Sequence, residues 1–195
     1  LIDYNRLTYQ DEMLPLGELR EPSSNTDRAD IIIFTKCPNT LMPVDMLSTR
    51  TQIRPFPYQT LYYTTLTYSD PKGLFTNKKL NLCGKEIILV TGIAQPQHLH
   101  KYLEKYANLI TALKYPDHHK FTPYDIEEIT NDFNKLTIGN RAIITTEKDA
   151  ARLIGMNLPE SIKENIYTIE IEIEFLFEGE KKFNTQIDKF LRNQN

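Results

Sequence analysis

Four histidines occur in the 195 residues, and two of them are adjacent in "LKYPDHHKFTPYD" (113–125). A carboxylate beside an imidazole can hold its tautomer and raise its basicity, so Asp117 next to His118 has the makings of a general base. The same side chains could contact a phosphate, contribute to a metal site, or merely occupy a wet turn before a helix. A metal site would need two or three further ligands. The other two histidines, His98 and His100, lie two apart on a helical pattern and so point to different faces. No H-E-x-x-H and no Asp-x-Asp pair is present. Three readings therefore stay open for the Asp-His-His link: capping or surface turn, base or phosphate contact, and metal ligand.

Three other stretches carry candidate chemistry. In "TGIAQP" (91–96), Gly92 permits close backbone approach and could offer N–H groups to an anion, although a plain strand–turn–helix needs no more. In "TTEKDA" (145–150), Lys148 could meet a phosphate; the other reading is a capped helix start whose Glu147 and Asp149 suit the helix dipole. Near the start, Asp3 ends an apolar pair and is a possible magnesium-side carboxylate, while Arg20 and Glu21 in "LREP" form either a phosphate clamp or a salt-bridged turn.

The elements that must position these residues are legible from periodicity. "ADIIIFTK" (29–36), "EIILVT" (86–91), "LITAL" (109–113) and "RAIITT" (141–146) read as strands. Leu99, Tyr102, Leu103 and Tyr106 share one helical face, and so do Ile126, Ile129, Phe133 and Leu136. Thr122 with Pro123, and Thr146, read as helix starts, and Gly155 as a stop. "IYTIEIEIEF" alternates strictly and predicts one half-exposed strand, with Ile169, Ile171, Ile173 and Phe175 on its inner face. "TQIDKFLRNQ" predicts a terminal helix. Strands alternating with helices imply a mainly parallel sheet between helical layers, a three-layer α/β/α fold. "PYQTLYYTTLTYSDPKGLFT" reads as an extended or hairpin-like linker. The organisation expected is residues 1–57, a linker over 58–84, and a second α/β/α lobe over 85–195. In such sheets ligands gather beyond the carboxyl ends of the strands. "TKCP" (35–38), "TGIAQP", "YPDHHKF" (115–121) and "TTEKDA" all fall there.

Bulk properties narrow the class. A net charge of −3 gives no basic field, so nucleic acid is not expected as partner. Two cysteines are too few for a disulfide framework or a Cys-based zinc site and suit a reducing compartment. No apolar run is long enough to span a bilayer.

Five stretches in order, "LPLGELREP" (14–22), "RADIIIFTKCP" (28–38), "TGIAQP", "PDHH" (116–119) and "TTEKDA", make the chain resemble the tetraacyldisaccharide 4'-kinases, the lipid A 4'-kinases of Gram-negative envelopes. The resemblance implies a P-loop NTPase-like fold and transfer of the ATP γ-phosphate to the 4'-hydroxyl of a tetraacyldisaccharide 1-phosphate. It implies ATP and Mg2+ as cofactors, an acylated disaccharide lipid as substrate, and a cytoplasmic enzyme peripheral to the inner membrane. By the same resemblance, Asp117 and His118 are the catalytic pair's contribution from the second lobe. Arg20 and Glu21 lie near nucleotide, Asp3 and Glu21 near magnesium, and Gly92, His119 and Lys148 line the substrate cleft. The family's G-x-x-x-x-G-K-[ST] loop is missing; "CGKE" (83–86) lacks its upstream glycine and its Ser/Thr. The expectation is a C-terminal fragment, inactive alone. The rival readings are a metal-dependent phosphoesterase of Asp-His-His type and a non-catalytic nucleotide- or partner-binding module.

Overall fold

Apolar runs set the strands of a computed structural model that describes residues 1–8, 11–17 and 19–193. In chain order the elements are β1 (Ile2–Asp3), β2 (Ile31–Thr35), α1 (Pro43–Ile53), β3 (Thr60–Tyr68), β4 (Lys72–Gly73), β5 (Glu86–Thr91), α2 (Gln97–Tyr106) and β6 (Asn108–Lys114). They continue with α3 (Pro123–Asn134), β7 (Arg141–Thr146), α4 (Glu147–Leu153), α5 (Glu160–Lys163), β8 (Ile166–Ile169), β9 (Ile171–Phe175) and α6 (Gly179–Arg192). A short 3-10 helix covers Ser23–Arg28. The chain divides into two units, one of Leu1–Thr67 with Glu172–Asn195 and one of Tyr68–Ile171.

In the first unit the strand order is β1-β2-β3-β9, with β1, β2 and β3 parallel. Ile2, Ile32, Phe34 and Tyr63 are buried together, and the Phe34 and Tyr63 rings stack at 4.8 Å. The Tyr/Thr-rich segment is extended: β3 joins this sheet, whereas β4 pairs antiparallel with β8 in the other.

The second unit has the order β4-β8-β7-β5-β6, with β8, β7, β5 and β6 mutually parallel. β5 sits centrally, and every residue after Glu86 is buried, as a parallel strand covered on both faces requires. Its alternate residues feed two cores. Ile88, Val90 and Ile143 pack with Ile129 and Phe133 of α3 and Leu153 of α4. Ile87, Leu89 and Ile144 pack with Leu99 and Leu103 of α2. This division follows from chain order. A right-handed step from β5 out to β6 puts α2 on one face, and the return past β5 to β7 puts α3 on the other. The order therefore reverses at β5, so the carboxyl ends of β5 and β7 are the topological switch point, the place where α/β sheets bind ligands.

One expectation is overturned. "IYTIEIEIEF" is not one strand but two in different sheets, with Glu170 between them. Ile169 is buried, yet Ile171 and Ile173 are exposed. Period-two alternation marks a face but carries no information on whether the same sheet continues. Here Ser69 and Glu170 bond to each other at the crossing, the Ser69 N–H to the Glu170 carbonyl at 3.1 Å and the Glu170 N–H to Ser69 Oγ at 3.2 Å. The terminal helix also begins earlier than its apolar pattern, at Gly179.

Phe133 anchors one face of the second unit: it is fully buried, and the Arg141 guanidinium lies over its ring, 4.1 Å from the centroid. Phe133→Ala is expected to destabilise the chain by about 3–5 kcal/mol, read as a lowered denaturant midpoint.

Candidate functional site

Three loops meet beyond the carboxyl ends of β5, β6 and β7, and one carboxylate links them, the loop after β6 by way of Arg152. Asp149, in the first turn of α4, is completely buried. Its Oδ2 accepts the Gly92 N–H (2.9 Å) from the loop after β5 and the Thr146 hydroxyl (2.8 Å) from the end of β7. Its Oδ1 accepts Arg152 Nη1 at 2.8 Å. Thr146 is the N-cap of α4, and its Oγ1 accepts the Asp149 N–H. Gly92 is required by proximity: a Cβ there would lie 3.1 Å from the Pro116 carbonyl oxygen, 3.2 Å from Asp149 Oδ1 and 3.4 Å from His119 Cβ. Those atoms belong to the loop after β6 and to the start of α4, so at Gly92 the first loop meets the other two.

The two adjacent histidines face opposite ways. His119 turns inward, its ring stacked on Tyr115 at 4.8 Å and edge-on to Phe121 at 5.3 Å. Its Nε2 lies 2.9 Å from Asp125 Oδ2, which also accepts the Thr122 N–H at 2.7 Å. Thr122 Oγ1 in turn accepts the Asp125 N–H, completing a capping box at the start of α3. Burial alone would push the Asp125 carboxyl up, but the bonds from His119 and Thr122 outweigh it and hold the group below its ordinary range. Burial and the hydrogen bond to Glu128 keep the Tyr115 hydroxyl protonated well past its ordinary range.

His118 turns outward, with 79% of its side chain exposed. Its backbone is left-handed (φ 60°), a conformation in which His is enriched among non-glycine residues. Asp117 Oδ1 accepts the His118 N–H at 3.0 Å, so the carboxylate steadies this turn. Asp117 Oδ2 lies 3.6 Å from His118 Nε2, beyond hydrogen-bond length. The direct partner of the imidazole is one that sequence reading did not single out: Arg152 Nη2, 3.3 Å from Nδ1. Lys148 is exposed on the first turn of α4.

The remaining candidates lie in the first unit. Asp3 ends β1, and its Oδ2 receives Lys36 Nζ at 2.6 Å, while Oδ1 accepts the Asn5 N–H at 3.0 Å. Burial would raise the Asp3 pKa, but these bonds prevail and lower it. Lys36, in the "TKCP" stretch, follows β2, so this pair sits at the carboxyl edge of that parallel sheet. Arg20 and Glu21 are exposed on the irregular segment before the 3-10 helix, where Glu21 Oε2 bonds Asn25 Nδ2 (2.8 Å) and Arg28 Nη2 (3.0 Å). Among the described residues, no group of three or more His, Cys, Asp or Glu side chains could hold a metal ion, and no helix is long and apolar enough to cross a membrane.

Comparison with known proteins gives these motifs a common context. Residues 1–192 match the sequence model of the tetraacyldisaccharide-1-P 4'-kinase family. The chain is 43% identical over 198 residues to the tetraacyldisaccharide 4'-kinase of Phocaeicola vulgatus, and 39% over 201 residues to that of Bacteroides fragilis. Each match covers 98% of this chain and 54% of the relative, so the chain spans about half the length of the curated relatives it matches. Among solved structures, an "apo" form of LpxK from Aquifex aeolicus in complex with ATP matches 92% of this chain and 48% of its own, with a TM-score of 0.59 at 19% identity. That likeness supports the α/β fold.

Two substitutions test the geometry. Gly92→Ala is expected to cost about 1–3 kcal/mol by forcing the Pro116 carbonyl and Asp149 apart, measured by chemical denaturation. Asp125→Asn is expected to cost about 1–3 kcal/mol near neutral pH. Because the folded-state pKa of Asp125 is lowered, its contribution is present above the unfolded value of about 3.9 and is lost as pH falls through the folded value. Stability measured against pH should therefore fall less steeply on acidification in Asp125→Asn than in the parent chain.

Proposed function

Since the chain belongs to the tetraacyldisaccharide-1-phosphate 4'-kinase family, we propose that it serves transfer of the ATP γ-phosphate to the 4'-hydroxyl of a tetraacyldisaccharide 1-phosphate, with His118 as general base. The observation that carries this reading is the convergence of "TGIAQP" and "TTEKDA" on one buried carboxylate at the switch point of a parallel sheet, with "PDHH" tied to it through Arg152. That arrangement leaves the His118 imidazole exposed above an ordered loop.

The chemistry asks for little covalent participation. Phosphoryl transfer passes through a loose transition state, so catalysis is positioning and charge neutralisation. An exposed imidazole can come within hydrogen-bond reach of a sugar hydroxyl and take its proton as the oxygen closes on phosphorus. Asp117 Oδ2 lies beside Nε2, on the side of the ring away from Arg152. His119, by contrast, has Nε2 engaged by Asp125 and serves to hold the loop that carries His118. Asp3, a partly exposed carboxylate at a strand end whose present partner is Lys36, would be the residue of this chain to hold Mg2+, which commonly takes one or two protein carboxylates and would supply charge neutralisation there. A short exposed basic and apolar surface on α6, with Lys189, Phe190, Leu191 and Arg192, is compatible with contact at the inner-membrane surface.

The geometry argues against the phosphoesterase rival. In that chemistry Asp117, His118 and His119 would converge on a cation, whereas here a guanidinium occupies His118 and a helix-capping carboxylate occupies His119. In the full-length enzyme, His118→Ala is expected to lower turnover by about 10²–10⁴-fold. Turnover near that of the parent enzyme would contradict the assignment.

A further inference from the structure

Arginine constrains what its partner can be. A guanidinium has five N–H donors and no acceptor, and stays charged at every accessible pH. Its contact with His118 Nδ1 at 3.3 Å therefore requires a lone pair on that nitrogen. The neutral imidazole must then carry its proton on Nε2, the nitrogen that faces Asp117 Oδ2 at 3.6 Å. The imidazole is thus bracketed, with a donor against one nitrogen and an acceptor beside the other.

What makes the bracket rigid lies underneath it. Arg152 is itself pinned: Nη1 bonds Asp149 Oδ1 at 2.8 Å, and its side chain is only 25% exposed. Asp149 is fixed in turn by the Gly92 N–H and the Thr146 hydroxyl. Without this chain of contacts, an imidazole as exposed as His118 would turn freely about its side-chain bonds and sample both tautomers.

We propose that Arg152, anchored by Asp149, is a positioning residue that holds His118 as its Nε2–H tautomer and so makes Nδ1 the atom that accepts the proton. This deepens the base role proposed for His118 and rests on it. In the reaction, the incoming hydroxyl replaces Arg152 Nη2 at Nδ1. Its proton passes to Nδ1 as its oxygen bonds the γ-phosphorus and the bond from that phosphorus to the β–γ bridging oxygen breaks. ADP then departs as the leaving group.

Two measurements test this. Nitrogen-15 NMR of the imidazoles in the whole chain should show neutral His118 as the Nε2–H tautomer, and a mixture of tautomers in Arg152→Ala; a dominant Nδ1–H form in the parent chain would overturn the proposal with no variant needed. In the full-length enzyme, Arg152→Ala should lower kcat by about 10–100-fold, since a displacement of about 1 Å at a reacting group costs up to about 10². KM for ATP and for the disaccharide should stay within about twofold of the parent. Introduced into His118→Ala, the same change should have no further effect on kcat, as required of a residue that acts through another. If His118→Ala is severely impaired and Arg152→Ala multiplies that loss, the base assignment stands and the positioning role falls. If His118→Ala turns over normally, both fall together.

Discussion

A carboxylate with no exposure to water must have its lone pairs used, or it would cost several kcal/mol to bury. Asp149 meets that demand with three donors drawn from three places: a backbone N–H after β5, a hydroxyl at the end of β7, and a guanidinium one turn further along α4. Much of the second unit's upper edge follows from it. Gly92 must lack a side chain so that the first loop can approach. Thr146 must cap the helix, because its oxygen also completes the carboxylate's shell. Arg152 must reach back over the helix start, and in doing so it meets His118.

The division of labour between the two histidines is a second consequence. A left-handed residue between Asp117 and His119 reverses the side-chain direction, so that one imidazole joins the core and its neighbour joins the solvent. The inner one supports a capping box and an aromatic stack, which order the loop. The outer one inherits that order without being buried, and so stays accessible. A motif of two histidines thus needs both, for different physical reasons.

Much of this was legible in the sequence. The strands of the central sheet, the caps at Thr122 and Thr146, and the placing of three motifs at strand carboxyl ends all follow from local patterns. Long-range pairings were not. Asp149 reads as a residue suited to a helix dipole, because its bond to Gly92 spans 57 positions and leaves no periodic trace. Arg152 went unnoticed for the same reason, although its place three residues after a capped Asp was a usable signal. Lys36 lies within "TKCP", yet its bond to Asp3 joins residues 33 positions apart and leaves no local signal. The alternating run 166–175 failed differently, since two sheets share one pattern across Glu170.

The account turns on Asp149 as the tie between loops, and amide hydrogen exchange at Gly92 reads that tie directly. Losing a charge-assisted bond worth about 1.5–3 kcal/mol corresponds to roughly a tenfold or greater change in an opening equilibrium. In Asp149→Asn the Gly92 amide should therefore exchange at least about tenfold faster than in the parent chain, and the His119 amide, which bonds the Pro116 carbonyl, should quicken with it. Unchanged protection at both amides, with global stability preserved, would contradict the claim that one buried carboxylate holds the site together.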